Sequence, residues 1–458
     1  MHARDRGRPR AWLRAVVACA ALALVLGLPA CAGPGLASRS HAARAEWQAS
    51  AVPAVREGDG DPFAGAAELS REALVGAVLE RNPSIRAARH AWKAALERYP
   101  QVTALEDPML GLGTAPLSFG SDEVDDAGRI DVSQRLPFPG KLALRGEAAL
   151  AEAEAASQDH AAVRLRLAGM ASRLFDEYVL AIRSLEINAE HLALLEELQQ
   201  IARVRYEAGE AAHQDPIQAE VELTHAIHRQ VEFEANRRVV AQQIAALLHW
   251  PSEGELPPPA RAPAPGAIAT PPDRLVDEAF GSRPELAAAA ARVAAEQARL
   301  DLARRDYLPD FTLAGAYDTL WQERDLQPFV GVQLNVPLQL GRRKAAVEEA
   351  RARLEQARDL RLAEEDEVRL GVRSGVDRLA EAQHLVHLMR DRLLPAARDH
   401  VEAARSGFEA GRNDFPVLIE SERNLLDVEL GYEESLAGLG RRRAELDRAL
   451  GRIPGLGW

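Results

Sequence analysis

Four histidines stand in two pairs three residues apart, His225/His228 and His384/His387. On a helix this spacing turns both rings to one side, where they would begin a site for a divalent metal ion. Each pair lacks a third ligand at motif spacing, and histidines on a solvated face or a helix seam fit the same pattern more simply. The 458 residues contain no G-x-S-x-G, H-E-x-x-H, phosphate-binding loop or C-x-x-C. The usual carriers of ester hydrolysis, zinc-peptidase chemistry, nucleotide use and dithiol exchange are therefore missing. The carboxylates are scattered along helical stretches, where they serve solubility. No enzyme activity and no cofactor is expected.

The segments that carry these side chains are rich in Ala, Leu, Glu and Arg and only 5% aromatic. That composition favours long helices with thin packing seams over a compact α/β core. The length exceeds one ordinary core, which points to duplication or an extended shape. Arg4, Arg6, Arg8, Arg10 and Arg14 precede an apolar run from Ala15 to Leu28, so residues 1–30 read as a signal peptide. No later apolar run is long enough for a spanning helix. Removing 1–30 takes away five arginines and Asp5, a net +4, and moves the charge from −13 to −17. A surface that acidic excludes nucleic acid as a partner. Cys19 leaves with the leader, so Cys31 has no disulfide mate. "LPAC" at 28–31 resembles the bacterial lipoprotein signal, which implies acylation of Cys31. Ordinary cleavage near Ala30 or Ala32 is the alternative. In lipoproteins a non-acidic residue such as Ala32 implies delivery to the outer membrane.

Residues 31–66 read as a lipidated N-terminus and flexible tether, and the proline-rich stretch 251–273 as an extended linker. The segments 67–250 and 274–452 follow one script, with a short tail at 453–458. Each opens with a helix ended by an X-Pro pair ("RNPSI", 81–85; "SRPEL", 282–286) and an Ala-rich helix closed by "YP" (99–100) or "YLPD" (307–310). Each continues through two strand-like runs and a turn, "LPFPGK" (136–141) or "VPLQLGR" (336–342), into a very long helix. Pro137, Pro139 and Gly140 mark the first strand-to-helix turn, Pro337 and Gly341 the second. The halves are an internal duplication.

Lys141 to Ala208 holds no proline, enough for a helix of roughly 100 Å at 1.5 Å per residue. Leu174, Tyr178, Ile182, Leu185, Ala189, Leu192 and Leu195 recur every 3.5 residues on average, the spacing of a coiled-coil seam. In the second copy Pro395 should kink the helix. Both long helices end in the same phrase, Tyr206-Glu207-Ala208-Gly209 and Phe408-Glu409-Ala410-Gly411. Glycine just past a helix end accepts a left-handed backbone at little cost, so Gly209 and Gly411 predict two tight hairpin tips.

Ile130, Val132, Gln134 and Leu136 alternate with Arg129, Asp131, Ser133 and Arg135; Val330, Val332, Leu334 and Val336 alternate with Phe329, Gly331, Gln333 and Asn335. This is strand patterning with one apolar face. Together with 108–114 and 310–318 it gives two hairpins, four strands in all. An open sheet edge in lipid leaves backbone groups unpaired, and single-chain membrane barrels start at about eight strands. Three copies, sharing twelve strands, would close one. A small soluble β layer on helices is the alternative.

The ordered, duplicated "RNPSI", "YP"/"YLPD", "SQRLPFPGKL" (133–142), "YEAG"/"FEAG" and "LLPAA" (393–397) resemble the TolC-like outer-membrane efflux family over about residues 67–452. The resemblance implies a mainly α fold with a small membrane β part: a duplicated long-helix barrel plus four strands per chain, completing a twelve-stranded barrel as a homotrimer. It implies an outer-membrane channel of a Gram-negative bacterium that extends into the periplasm. Its partners would be outer-membrane lipid, a periplasmic adaptor (membrane fusion protein) and an inner-membrane pump of the resistance-nodulation-division type. The tips at Tyr206, Glu207, Gly209, Phe408, Glu409 and Gly411 would form the entrance and dock the adaptor. Glu420, Asp414 and Asp215 would supply an acidic entrance ring. "LPFPGK" and the lipoprotein start look most like the heavy-metal branch. A drug duct of the same fold and an exported coiled-coil structural lipoprotein remain the other readings.

Overall fold

Proline and glycine punctuate the helices. In the computed structural model, which describes residues 34–51, 60–120, 127–250, 255–260, 266, 270–321, 323 and 326–455, α1 spans Pro34–Ala49 and α2 Arg71–Arg81. The helix α2 ends at Asn82, and Pro83 opens α3 (Pro83–Leu96), followed by the short α4 (Arg98–Thr103). After β1 (Met109–Thr114) and β2 (Gly128–Leu136) come the long α5 (Lys141–Glu207) and α6 (Gln214–Leu247). The second half repeats the order: α7 (Pro272–Ser282), α8 (Pro284–Arg305), β3 (Phe311–Asp318), β4 (Pro328–Leu334), α9 (Leu340–Leu388), α10 (Leu394–Glu409) and α11 (Phe415–Ala449). The leader, Cys31 and parts of the tether and linker lie outside the described residues.

The residues form two compact units, one from the ranges 1–50, 90–157 and 287–362, the other from 51–89, 158–286 and 363–458. The first holds the sheet. Its strands run in the order β1-β2-β3-β4, antiparallel throughout, so the two predicted hairpins join through a β2–β3 ladder. Residues directly opposite share a face. Leu110 and Leu112 pair with Val132 and Ile130, and Leu313 with Gln134 and Val332, which builds one apolar face. Arg129, Asp131, Ser133, Arg135 and Gln333 occupy the other, as the alternation predicts.

One expectation fails in this unit. Residues 34–49 form α1 where a flexible tether was expected. Leu36, Ala43 and Trp47 turn one side inward, Trp47 and Ala43 against Trp92, Leu96 and Ala153, and Leu36 against Tyr99 and Leu150. Arg44 pairs with Glu97 at 3.0 Å, and the Lys93 ammonium lies 5.1 Å from the Trp47 ring centre. Burial of one helical stripe outweighs a composition that favours disorder.

The second unit shows the duplication in its packing. Leu74, Val75 and Val78 of α2 meet Phe175 and Tyr178 of α5 and Val240 and Ile244 of α6. Leu275, Val276 and Ala279 of α7 meet Val368, Val372 and Leu379 of α9 and Leu439 and Leu446 of α11. The residue before each proline is tied to the last helix of its repeat: Asn82 Nδ2 donates to Leu247 O (2.8 Å), and Arg283 Nη1 to Arg448 O (3.0 Å). Residues 255–260 run extended beside Leu69, whose N–H donates to Pro258 O at 2.8 Å.

Candidate functional site

The tips are built alike. Gly209 N–H donates to Tyr206 O (3.0 Å) and Glu210 N–H to Arg205 O (2.8 Å); Gly411 N–H donates to Phe408 O (3.1 Å) and Arg412 N–H to Gly407 O (2.8 Å). This pair of hydrogen bonds satisfies the last carbonyls of α5 and α10 and demands a left-handed residue. Gly209 and Gly411 supply it, with φ of +77° and +67°. The two tips are neighbours within their unit: the Arg205 guanidinium lies 4.6 Å from the Phe408 ring centre, and the Phe408 ring lies tilted against that of Phe415, centres 5.6 Å apart. Beneath them Leu195, Leu198, Ala202, Ala219, Phe415, Leu418 and Ile419 form a small core. Tyr206, Glu207, Gly209, Glu409 and Gly411 are exposed, and Phe408 is half-buried.

The acidic candidates separate. Glu420 and Asp414 are exposed, Glu420 with Arg423 at 3.2 Å. Asp215 is only 9% exposed, so its carboxyl is not presented at the surface of this chain. Burial first, and the charge of Asp414 next among the forces acting the same way, push it above the ordinary carboxylate range despite a backbone hydrogen bond.

The seam of α5 differs from the apolar stripe read in sequence. Ala189 is exposed, and the buried positions in mid-helix include, beside Ala181 and Ile187, the polar Ser184, Asn188 and His191, at 7%, 0% and 7% exposure. Asn188 Nδ2 donates to Ala226 O (3.1 Å) and Gln230 Oε1 (3.0 Å) on α6. His191 Nε2 lies 3.0 Å from Glu429 Oε2 on α11, and Arg398 of α10 donates to the same carboxylate at 3.1 Å. Arg405 reaches the buried Glu422 at 3.3 Å. Seven-residue periodicity finds the seam, whereas counting only apolar residues misses the polar side chains in it.

The sheet offers a second feature. Leu110, Leu112, Val330, Val332 and Leu334 are 55–75% exposed, and the outer edges of β1 and β4 pair with nothing among the described residues. At the first strand-to-helix turn the helix begins just after Gly140. Gly140 has φ +90°, and Arg305 packs over it to donate to Pro139 O at 2.9 Å. Lys141 Nζ then reaches Asp310 (2.9 Å), Asp306 (3.2 Å) and Leu308 O (3.1 Å), while Asp310 also takes Arg135 (2.9 Å) and the Phe138 N–H (3.0 Å). The second turn differs: Gly341 lies inside the first turn of α9, and Pro337 in the extended stretch before it. The extra residue between Pro337 and Gly341 lets the helix begin a residue earlier than the glycine. Pro395 is accommodated by a π-turn at Met389–Leu393, after which α10 continues. Widening the hydrogen-bond loop relieves the clash of a proline ring with the carbonyl four residues back.

The histidine pairs stay apart from any metal-like cluster. All four rings are exposed, and no group of three or more His, Cys, Asp or Glu suited to a metal ion occurs among the described residues. None of the described helices is long and apolar enough to cross a membrane.

Long helices paired into tip hairpins, joined to a short amphipathic sheet with open edges, define the architecture of efflux-channel proteins. The chain belongs to the outer membrane efflux protein family, which matches residues 74–248 and 275–452, one match per repeat. It is 24% identical over 318 residues to the cobalt-zinc-cadmium resistance protein CzcC of Cupriavidus metallidurans, covering 68% of this chain and 74% of CzcC. Its fold is similar to the outer-membrane channel OprN (TM-score 0.71, 20% identity, 88% of this chain and 98% of that one). It is also similar to CusC, a protein described as forming a transmembrane channel (TM-score 0.72, 15% identity, 88% and 99%). Family and structural relatives are channel proteins and not enzymes.

Proposed function

We propose that this chain is the outer-membrane duct of a tripartite efflux assembly, closes as a homotrimer, and conducts heavy-metal cations out of the periplasm. One observation carries the reading: a four-stranded amphipathic sheet with an exposed apolar face and two open edges. Such edges are stable in lipid only when another strand pairs with them. Three copies supply a closed ring of twelve strands. The tips at Gly209 and Gly411 dock the hairpins of a periplasmic adaptor, which connects to an inner-membrane pump of the resistance-nodulation-division type. Energy comes from that pump, since no nucleotide-binding motif is present. Acylation of Cys31 adds a lipid anchor to the outer membrane. Likeness to CzcC supports metal cations as cargo, and exposed Asp414 and Glu420 beside the second tip suit a cation path.

Planar-bilayer recording of the purified chain tests the duct. Stepwise conductance with cation preference is expected, and Glu420→Ala should weaken that preference. A well-inserted trimer that never conducts refutes the duct, and unchanged selectivity in Glu420→Ala removes this residue from the path. Restored zinc, cobalt or cadmium tolerance in a host lacking its own duct is the expected cargo result. Restored tolerance to organic drugs alone would replace metals with drugs as the cargo.

A further inference from the structure

The two hairpins are copies in register. Met109 faces Ser133 as Thr312 faces Gln333, so β1 matches β3 and β2 matches β4 residue by residue. The β2–β3 ladder, with Gln134 opposite Leu313 and Val132 opposite Gly315, is therefore a template for the seam the chain leaves open. Transferring it to β4 and the β1 of another copy puts Leu334 opposite Leu110 and Val332 opposite Leu112. These four side chains are among the most exposed apolar groups of the sheet, at 55%, 66%, 62% and 75%. A slip of one residue would set them against the polar face, since side chains alternate.

The same transfer reaches the charges at the helix end of the sheet. Lys141, the first residue of α5, is buried against Asp310, the residue before β3. Aligned on the turn glycines Gly140 and Gly341, the sequence mate of Lys141 is Arg342, the third residue of α9, and by the strand register that of Asp310 is Asp107, just before β1. Both mates are exposed, and neither has an ion-pair partner among the described residues. The charges are of opposite sign, as in the template.

We propose that neighbouring copies of this chain join through a β4–β1 seam in which Leu334 faces the partner subunit's Leu110 and Arg342 meets the partner subunit's Asp107. This rests on the ring of copies proposed above and specifies its register and its charge clamp. Antiparallel pairing satisfies the backbone of both edges, and the ion pair ends the seam where the strands give way to helices.

Cysteine pairs in the full-length chain, assembled in outer membranes, test the register. Leu334→Cys with Leu110→Cys should give covalent oligomers on mild oxidation. Leu334→Cys with Leu112→Cys, two residues out of register, should give several-fold fewer. Equal or better yield from the slipped pair overturns the register. Charge reversal is the second measurement and holds even where a cysteine variant fails to insert. Arg342→Asp and Asp107→Arg should each lower the temperature at which oligomers dissociate on gels, and the two together should restore it. Single reversals without effect, or a double variant worse than either, overturn the clamp. Light scattering with size-exclusion chromatography of the wild-type chain in detergent separates the two levels. Absence of any oligomer sinks the ring itself, whereas oligomers with a silent in-register cysteine pair sink only the seam as drawn.

Discussion

Substituting the tip glycines isolates a purely backbone effect. A Cβ built on Gly209 or Gly411 meets nothing within 4 Å, so Gly209→Ala and Gly411→Ala introduce no clash with other residues. The penalty comes from φ of +77° and +67°, where an L-residue crowds its own carbonyl at a cost of about 1–2 kcal/mol. That raises the population of opened tip roughly 5- to 30-fold. The amides that close the turn, on Gly209 and Glu210 or on Gly411 and Arg412, report this opening directly. Native-state hydrogen exchange by mass spectrometry, on peptides across residues 203–213 and 405–415, should show faster exchange by that factor. Asparagine, which tolerates the left-handed region, should lose less than alanine. Gly341→Ala is the control with the opposite expectation, because Gly341 is helical, has open space around it, and alanine is the better helix former. Tip exchange unchanged in Gly411→Ala, or Gly341→Ala as damaging as the tip variants, would refute the reasoning.

Arg71 (4% exposed) binds Asp176 through two hydrogen bonds of 2.6 and 2.8 Å, so Arg71→Met strands a buried carboxylate and should cost about 3–5 kcal/mol in thermal or denaturant unfolding, with Asp176→Leu added recovering most of it. Trp47→Ala should release α1, read as rapid proteolysis within 34–49 while the remainder stays protected. The hydrogen bond from His191, opposed by burial and aided by Arg398, holds Glu429 below the ordinary carboxylate range. Its stabilisation is present at neutral pH and lost as pH falls through the lowered native value, so the deficit of Glu429→Gln should be largest at neutral pH and shrink in acid. Glu422 behaves in the opposite sense: burial raises it despite Arg405, so its charged form opposes folding at neutral pH and the strain is relieved as pH falls. Glu422→Gln should therefore be neutral or stabilising at pH 7, with the difference vanishing in acid in thermal melts across pH.

Duplication, tips and strands were legible because each rests on local chemistry. A glycine after a long helix, an alternation of Ile130 and Val132 with Arg129 and Asp131, and a repeated X-Pro boundary act within a few residues of themselves. Helix α1 was hidden because alanine and serine dilute its single stripe, and only packing on Trp92 and Leu96 reveals it. Gly341 misled by analogy with Gly140, since one added residue shifts where a helix can start. The hub at Asp310 was out of reach for another reason: its partners Arg135 and Lys141 lie 175 and 169 residues away, and no local pattern joins them. The same holds for His191 and Glu429, 238 residues apart.

The duplication matters most where its copies diverge. The first long helix, α5, is continuous to its tip, whereas the second passes through a π-turn at Met389–Leu393 before α10. Beyond that turn the contacts of α10 and α11 include charged pairs, Arg398 and His191 with Glu429 and Arg405 with Glu422, alongside the apolar core at Phe415 and Leu418. Charged pairs at a helix seam contribute less net stability than apolar burial but specify orientation, and each loses its value when one partner is displaced. A segment held in this way is fixed in one orientation, because displacing a partner leaves the other charge buried and unpaired. Two copies of one design, made unequal at a single proline and a handful of charges, thus place the orientation-setting charges next to the second tip and leave the first on an unbroken rod.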